Sequence, residues 1–209
     1  MSNGNLKDYV ENNRKNINHT FILTTILRIH QALCYLQSNS LIHRDLKPDN
    51  ILLNHDFIAY VSDFQTIRSI KKVDDNDLEF TADIGSYIYQ SPEQYKNYDL
   101  SYSTDIYSFG HIIYFLFEEE NKYNKFNLNE MDDLKNHGKT YQITNCPKRF
   151  QLLYEDCIKI NSDERPTNED IKKVLFDETE SNFVLEEYLV NKKNQQIETI
   201  QLVQYFNEN

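Results

Sequence analysis

Apolar residues recur at helical spacing near the start of the chain. Between residues 21 and 37 they are Ile22, Ile26, Ile29, Leu33 and Leu36. Steps of three and four residues place these side chains on one face of a helix. The pattern therefore predicts a helix that packs against a core.

Two short apolar runs follow, and they flank a polar loop. Leu41–Ile42 and Ile51–Leu53 lie on either side of residues 43–50, and a further strand is predicted over 57–62, ending at Asp63. Short apolar runs separated by a turn commonly pair as a hairpin. Pairing of the second and third runs would bring Asp63 beside Asn50.

The rest of the pattern is mostly helical. Residues 105–117 are almost entirely apolar, which predicts a helix that is buried on all sides. Residues 141–160 are expected to hold one or two helices, and 168–176 another with Thr167 as its N-cap. The polar stretch 65–81 is predicted to be a functional or mobile loop, because loops of this length are uncommon in compact domains without such a role.

The charge of the chain limits its partners. With 22 basic and 33 acidic residues, the formal net charge is −11. Such a surface repels phosphate backbones and anionic lipid, so we expect no nucleic acid or membrane partner. The N-terminus shows no signal peptide or membrane-spanning run, and a cytoplasmic or nuclear location is the default expectation. The three scattered cysteines, Cys34, Cys146 and Cys157, are expected to be reduced.

The polar loop concentrates chemically active side chains. It reads His43-Arg44-Asp45-Leu46-Lys47-Pro48-Asp49-Asn50. A carboxylate, an amine and an amide there could face one cleft, and the hairpin would add the Asp63 carboxylate. Carboxylate and amide oxygens together are suited to Mg²⁺.

This string resembles the catalytic loop of eukaryotic protein kinases, H-R-D-L-x-x-x-N. Further family motifs follow in family order. They are Asp63-Phe64-Gln65, Gly85-Ser86, Ser91-Pro92-Glu93, the buried-helix start Asp105 to Gly110, and Asp163-Glu164-Arg165-Pro166-Thr167. The resemblance implies a mainly α (α+β) kinase large lobe over residues 1–178, with an activation segment at 63–93, and residues 179–209 are expected to form a helical C-terminal tail.

The resemblance also implies catalytic and binding roles. Asp45 would orient or accept the proton of the acceptor hydroxyl, and Lys47 would neutralise the transferred phosphoryl group. Asn50 and Asp63 would hold Mg²⁺ on the phosphates of ATP, and Leu52 would pack beneath the adenine ring. A protein serine or threonine would be the acceptor, because Lys47 and the pair Gly85-Ser86 resemble serine/threonine kinases, although residues 105–110 are similar to the tyrosine-kinase-like branch.

Other matching residues have implied regulatory or structural roles. Arg44 would pair with a phosphate on the 65–81 stretch, where the candidate acceptors are Thr66, Ser69 and Thr81. The structural matches are Ser86, His43 packed beside Phe64, Asp105 capping the turn at 43–44, and a buried ion pair between Glu93 and Arg165.

Two departures from the family pattern change the expectation. No glycine-rich loop, strand lysine or helix glutamate precedes Asn3, so we expect a truncated catalytic domain without its small lobe, weak activity by itself, and a partner that covers the exposed upper face. Gln65 replaces a glycine, which predicts a stiffer activation-segment hinge. Two alternatives stay open: a catalytically inactive kinase-like scaffold, and a small-molecule phosphotransferase with a similar loop.

Overall fold

The computed structural model describes residues 2–70, 87–96, 100–118, 128–143 and 146–176. Met1–Val174 form one compact unit and Leu175–Asn209 a second. The predicted tail at 179–209, Gly85, Ser86 and Thr81 lie outside the described residues.

The described part is dominated by helices. They are α1 Leu6–Asn13, α2 His19–Ser38, α3 Pro92–Tyr95, α4 Tyr102–Phe117, α5 Leu128–His137, α6 Lys148–Cys157 and α7 Asn168–Leu175. Short 3-10 helices lie at Arg14–Asn16, Pro48–Asn50, Phe64–Thr66 and Ser162–Glu164. No helix among the described residues is long and apolar enough to cross a bilayer.

Four short strands pair into two antiparallel sheets in the described part. They are β1 Leu41–Ile42, β2 Ile51–Leu53, β3 Ala59–Val61 and β4 Arg68–Ser69. β2 pairs with β3, as predicted, and β1 pairs with β4. This mainly helical architecture with small sheets confirms the predicted fold class.

The helix predicted over 21–37 is α2, and its start follows from local chemistry. The Asn18 side chain accepts a hydrogen bond from the backbone N–H of Phe21 at 2.8 Å, which satisfies one of the unpaired donors of the first turn. The helix ends where Ser40 takes a left-handed conformation with φ of 60°. Its apolar face, including Ile26 and Ile29, is fully buried.

The predicted apolar helix is α4, and it forms the centre of the core. Every residue from Thr104 to Phe117 is buried. Ser101 and Thr104 form a reciprocal capping box at its start. It packs closely on α6, because Gly110 has no side chain: a Cβ there would lie 2.6 Å from the Cβ of Cys157.

Helix boundaries elsewhere differ from the sequence pattern. The described part of residues 141–160 holds one helix, α6, which begins at Lys148 because Pro147 disfavours helical backbone in the residue before it. Helices α1 and α5 were not predicted, since both are short and mostly polar. The N-cap predicted for α7 is confirmed: the Thr167 hydroxyl accepts from the N–H of Asp170 at 3.2 Å.

The predicted loop over 65–81 is more ordered at its start than expected. Residues 64–66 form a 3-10 helix and Arg68–Ser69 form β4. The register pairs Leu41 with Ser69 and Ile42 with Arg68. Residues 71–81 of that stretch lie outside the described residues.

Candidate active site

The β2–β3 hairpin places the ends of two strands side by side. Ile51 faces Val61 in the register, and the Ser62 N–H donates to the Asn50 carbonyl at 2.8 Å. The Ser62 hydroxyl donates to the same carbonyl at 2.9 Å. Asn50 and Asp63 therefore lie at the same end of the hairpin, where the polar loop 43–50 also ends.

Within the loop, the Asp45 carboxylate lies between an amine and an amide. Lys47 Nζ is 2.9 Å from Asp45 Oδ2, in an ion pair that is about one-fifth to one-quarter exposed. Asn50 Nδ2 donates to the same Oδ2 and to the Asp45 backbone carbonyl, both at 2.8 Å. The structure thus brings Asp45, Lys47 and Asn50 into direct contact.

Two side-chain oxygens at this end of the hairpin accept no hydrogen bond from the described residues. The amide nitrogen of Asn50 is bonded to Asp45, and no donor among the described residues reaches its Oδ1. Asp63 is exposed and left-handed, with φ of 61°, and its carboxylate likewise accepts no hydrogen bond within the described part. Carboxylate and amide oxygens are the kind of ligand that a hard cation prefers.

A buried carboxylate, that of Asp105, forms hydrogen bonds to the backbone of the turn before Asp45. Asp105 accepts from the backbone N–H of His43 at 2.7 Å and from that of Arg44 at 2.9 Å. Burial raises the pKa of Asp105, although His43 and the two N–H groups oppose the rise. Arg44 is left-handed, with φ of 71°, so the two bonds hold a turn that a non-glycine residue resists.

His43 is a packing residue in this geometry. Its side chain is fully buried, and its Nε2 lies 2.9 Å from the Ser62 carbonyl, to which it donates. Its ring meets Phe64 edge-on at a centroid distance of 5.9 Å. The other ring nitrogen, Nδ1, accepts from the Asp45 N–H at 3.4 Å. His43 therefore joins the loop to the end of β3 through both ring nitrogens.

The segment after Asp63 is tied to the same loop. The Thr66 hydroxyl donates to the His43 carbonyl at 2.8 Å, and Ser69 lies in β4. Of these two predicted phosphate acceptors, Thr66 thus has its hydroxyl bonded to the loop, and Ser69 is paired through its backbone. Gln65 is exposed in a 3-10 helix and has a negative φ, so its backbone conformation here does not require glycine. The stiffer hinge expected at this position stays a prediction.

Leu52 lies in the middle of β2, partly buried, on the N-terminal side of the hairpin. It forms an isolated bridge with Asn5, and the Leu53 N–H donates to the Gly4 carbonyl at 2.9 Å. The first residues of the chain therefore run antiparallel to β2. Packing of Leu52 beneath an adenine ring stays a prediction.

Comparison with known proteins decides the family. The model of the family described as protein tyrosine and serine/threonine kinase matches residues 1–175, which is most of the chain. The chain belongs to this kinase family.

Individual relatives of the kinase include both acceptor types. A probable LIM domain-containing serine/threonine-protein kinase of Dictyostelium discoideum is 29% identical over 182 residues, covering 87% of this chain and 27% of the relative. The human tyrosine-protein kinase FRK is 29% identical over 194 residues, covering 88% of this chain and 37% of that protein. The chain spans about a quarter of the length of the first of these relatives.

An ion pair joins Glu93, at the start of α3, to Arg165, which precedes α7. Arg165 donates to both carboxylate oxygens of Glu93, at 2.6 and 2.8 Å. Burial by itself would raise the pKa of Glu93, but the hydrogen bonds and the charge of Arg165 outweigh it and hold that pKa below its ordinary value.

Two buried polar contacts near α3 could not be predicted from the sequence. Gln94 Nε2 donates to the Arg44 carbonyl at 2.7 Å, and Gln94 also forms a capping box with Ser91. The spacing Ser91-x-x-Gln94 is a visible signal for such a box, but it does not reveal the bond to Arg44. The second contact is that of Lys135 with the Ile88 and Gln90 carbonyls. Lys135 lies in a polar helix, and nothing in the sequence indicates that this lysine is buried.

No group of three or more His, Cys, Asp or Glu side chains in the described part could hold a metal ion. The metal-binding roles expected for Asn50 and Asp63 therefore stay predictions.

Proposed function

We propose that this chain is the large lobe of a protein kinase that transfers the γ-phosphoryl group of ATP to a serine or threonine of a protein. The observation that carries the proposal is the cluster at 45–50, in which one carboxylate contacts both an amine and an amide. Phosphoryl transfer depends on positioning and charge neutralisation, and this cluster offers both.

The donor set fits a magnesium-bound nucleotide. Asn50 Oδ1 and the Asp63 carboxylate have no protein donor in the described part, and both are the hard oxygens that Mg²⁺ prefers. These two residues would hold the ion. A bound Mg²⁺ would offset the negative charge of the phosphates.

The cluster also defines a proton path. The acceptor hydroxyl would lose its proton to Asp45 as its oxygen bonds to the γ-phosphorus and ADP leaves. Lys47, 2.9 Å from Asp45, would place its positive charge beside the transferring group. Asn50 fixes the Asp45 carboxylate through its amide nitrogen, so the base keeps one orientation.

The serine/threonine assignment is the finer part of the proposal. It is supported by Lys47 two residues after the base and by the serine/threonine-protein kinase relative from Dictyostelium discoideum. Phosphoamino acid analysis of a labelled acceptor tests it. Label on serine or threonine alone supports the assignment, whereas label on tyrosine overturns it.

In this proposal, residues outside these 209 supply the cover of the nucleotide. The 209 residues include only 4 glycines, and no glycine-rich loop is among them. Another part of the same protein, or a partner that covers the cleft beside Leu52, would supply that loop and its lysine. A partial match to longer relatives agrees with such an arrangement.

Thermal melting with Mg-ATP tests binding without requiring catalysis. If the Kd is near 1 mM, about 10 mM Mg-ATP should stabilise the fold by about 1.4 kcal/mol and raise the Tm by about 3 °C or more. The Asp63→Asn substitution should remove this shift. Asp56→Asn is the matched control, because Asp56 is an exposed carboxylate in the turn at the other end of the same hairpin.

Asp45→Asn separates binding from transfer. It should keep the rise in Tm with Mg-ATP, because Asp45 is not assigned to the metal. It should abolish phosphorylation by the assembled kinase, which is this chain together with the residues that cover the nucleotide. Absence of any shift in the unmodified chain would favour the scaffold alternative.

A further inference from the structure

Three successive backbone carbonyls just before α3 are held by side chains from the core. Lys135 Nζ donates to the Ile88 carbonyl at 2.8 Å and also to the Gln90 carbonyl. The Ser108 hydroxyl donates to the Tyr89 carbonyl between them at 2.7 Å. Residues 88–90 lie outside regular strands and long helices, so these contacts take the place of a backbone ladder.

Lys135 is an unexpected residue in this position. It is 2% exposed, and its Nζ lies 3.3 Å from the Tyr107 hydroxyl and 4.5 Å from the centroid of that ring. Burial lowers the pKa of Lys135 well below its ordinary value, the charge of Arg165 lowers it further, and Glu93 opposes them. A buried lysine is unfavourable unless its donors are satisfied, and here carbonyls of the 88–90 segment satisfy them.

A short chain of contacts leads from this segment to the catalytic loop. Gln90 is followed by Ser91, whose side chain caps α3. Gln94 of the same helix donates to the Arg44 carbonyl at 2.7 Å, and Asp45 is the next residue. The position of the 88–90 carbonyls therefore determines where α3 meets the peptide next to the proposed base.

We propose that Lys135 is a positioning residue for phosphoryl transfer: by holding the Ile88 and Gln90 carbonyls, it fixes α3 against the turn that carries Asp45. Its relevance to catalysis rests on the function proposed above. The effect of Lys135 on α3 can be measured without any catalysis. A failure of this positioning role can therefore be distinguished from a failure of the proposed kinase function.

Hydrogen exchange of the 209-residue chain tests the coupling directly. Lys135→Met keeps the length of the side chain and removes its donors. Amides in residues 87–96 should then exchange about tenfold faster or more, because two hydrogen bonds to this segment are lost. Amides of α4 and α6 should keep their rates. Lys139→Met is the matched control, since Lys139 is an exposed lysine close by, and it should leave residues 87–96 unchanged.

Conservative rescue and kinetics separate positioning from general stability. Lys135→Arg retains donors and should restore slower exchange relative to Lys135→Met. In the assembled kinase, Lys135→Met should lower kcat about tenfold or more with the KM for ATP unchanged, because the base is misplaced while the nucleotide ligands are not. Unchanged exchange at 87–96, or an equal increase throughout the chain, would overturn the proposal.

The unmodified chain provides a test that does not depend on variants folding. Under increasing sub-denaturing urea, residues 87–96 and α5 should open at the same free energy, as one cooperative unit. Separate opening of the two segments would show that Lys135 does not couple them.

Discussion

Arg165 and Glu93 are 72 positions apart in sequence and meet through two parallel hydrogen bonds of 2.6 and 2.8 Å. The Arg165 side chain is completely buried, and that of Glu93 is 10% exposed. Arg165 also donates to the carbonyls of Ser103, Lys159 and Ile160. This single guanidinium therefore connects α3, the start of α4 and the turn after α6.

Substitution of Arg165 should reduce stability more than substitution of Glu93. Arg165→Met removes the charged partner of a buried carboxylate and leaves it the Thr104 and Ser91 hydroxyls and its own backbone N–H. We expect a loss of about 3 to about 5 kcal/mol in the free energy of unfolding. Glu93→Gln should cost less, because Arg165 keeps its three carbonyls. Urea unfolding measures both, and equal losses would contradict the assigned contacts.

The same pair predicts an acid dependence of stability. The pKa of Glu93 is lower in the folded protein than its ordinary value, so the carboxylate contributes stability above its unfolded pKa of about 4.3. That contribution should be lost as the pH falls from about 4.3 through the lower folded value. Urea unfolding at a series of pH values should show a shallower acid loss for Glu93→Gln than for the unmodified chain.

Even the conservative substitution Asp105→Asn should destabilise the fold. It accepts two backbone N–H groups, and Asp105→Asn would place an N–H₂ group against one of them. A buried donor without an acceptor costs about 1 to about 3 kcal/mol. We expect a stability loss of about 2 kcal/mol and faster hydrogen exchange at His43 and Arg44. If those amides stay protected, the carboxylate is not what holds the turn.

Gly110→Ala tests the close packing of α4 on α6. In an exposed helix this change would stabilise by about 1 kcal/mol. Here the new methyl group would lie 2.6 Å from Cys157 Cβ and 2.9 Å from Ile158 Cγ2, so we expect a loss of about 1 to about 3 kcal/mol from overpacking. A gain in Tm would show that the two helices are not so closely packed.

Ser40→Gly should have the opposite sign. Ser40 follows the last turn of α2 with φ of 60°, and glycine adopts this left-handed conformation without a steric penalty. After the entropy of glycine in the unfolded chain is included, we expect a gain of about 0.5 kcal/mol. Ser40→Val is the matched control and should destabilise, because a β-branched residue resists this conformation; both are measured by urea unfolding.

Much of the candidate site could be predicted from sequence because its residues are close along the chain. Residues 43–50 and 63 are joined by one hairpin, so a prediction of strand pairing was enough to place Asn50 and Asp63 at the same end. Apolar periodicity likewise located α2 and α4, whose buried faces are long enough to give a clear period.

The contacts that could not be predicted join distant residues through polar atoms. Lys135 meets Ile88 from 47 positions away, and Gln94 meets Arg44 from 50 positions away. A lysine or a glutamine in a polar helix looks the same in sequence whether it faces solvent or a buried carbonyl. Only the packing of α3, α4 and α5 determines which of these occurs.

Arg44 and Asp63 both take the left-handed backbone conformation without being glycine, one just before the proposed base and the other at the proposed metal ligand. Each conformation is unfavourable for the residue and is maintained by the surrounding structure. Together they place an unfavourable backbone conformation on each side of the β2–β3 hairpin, so the folding of this region must offset the cost of both.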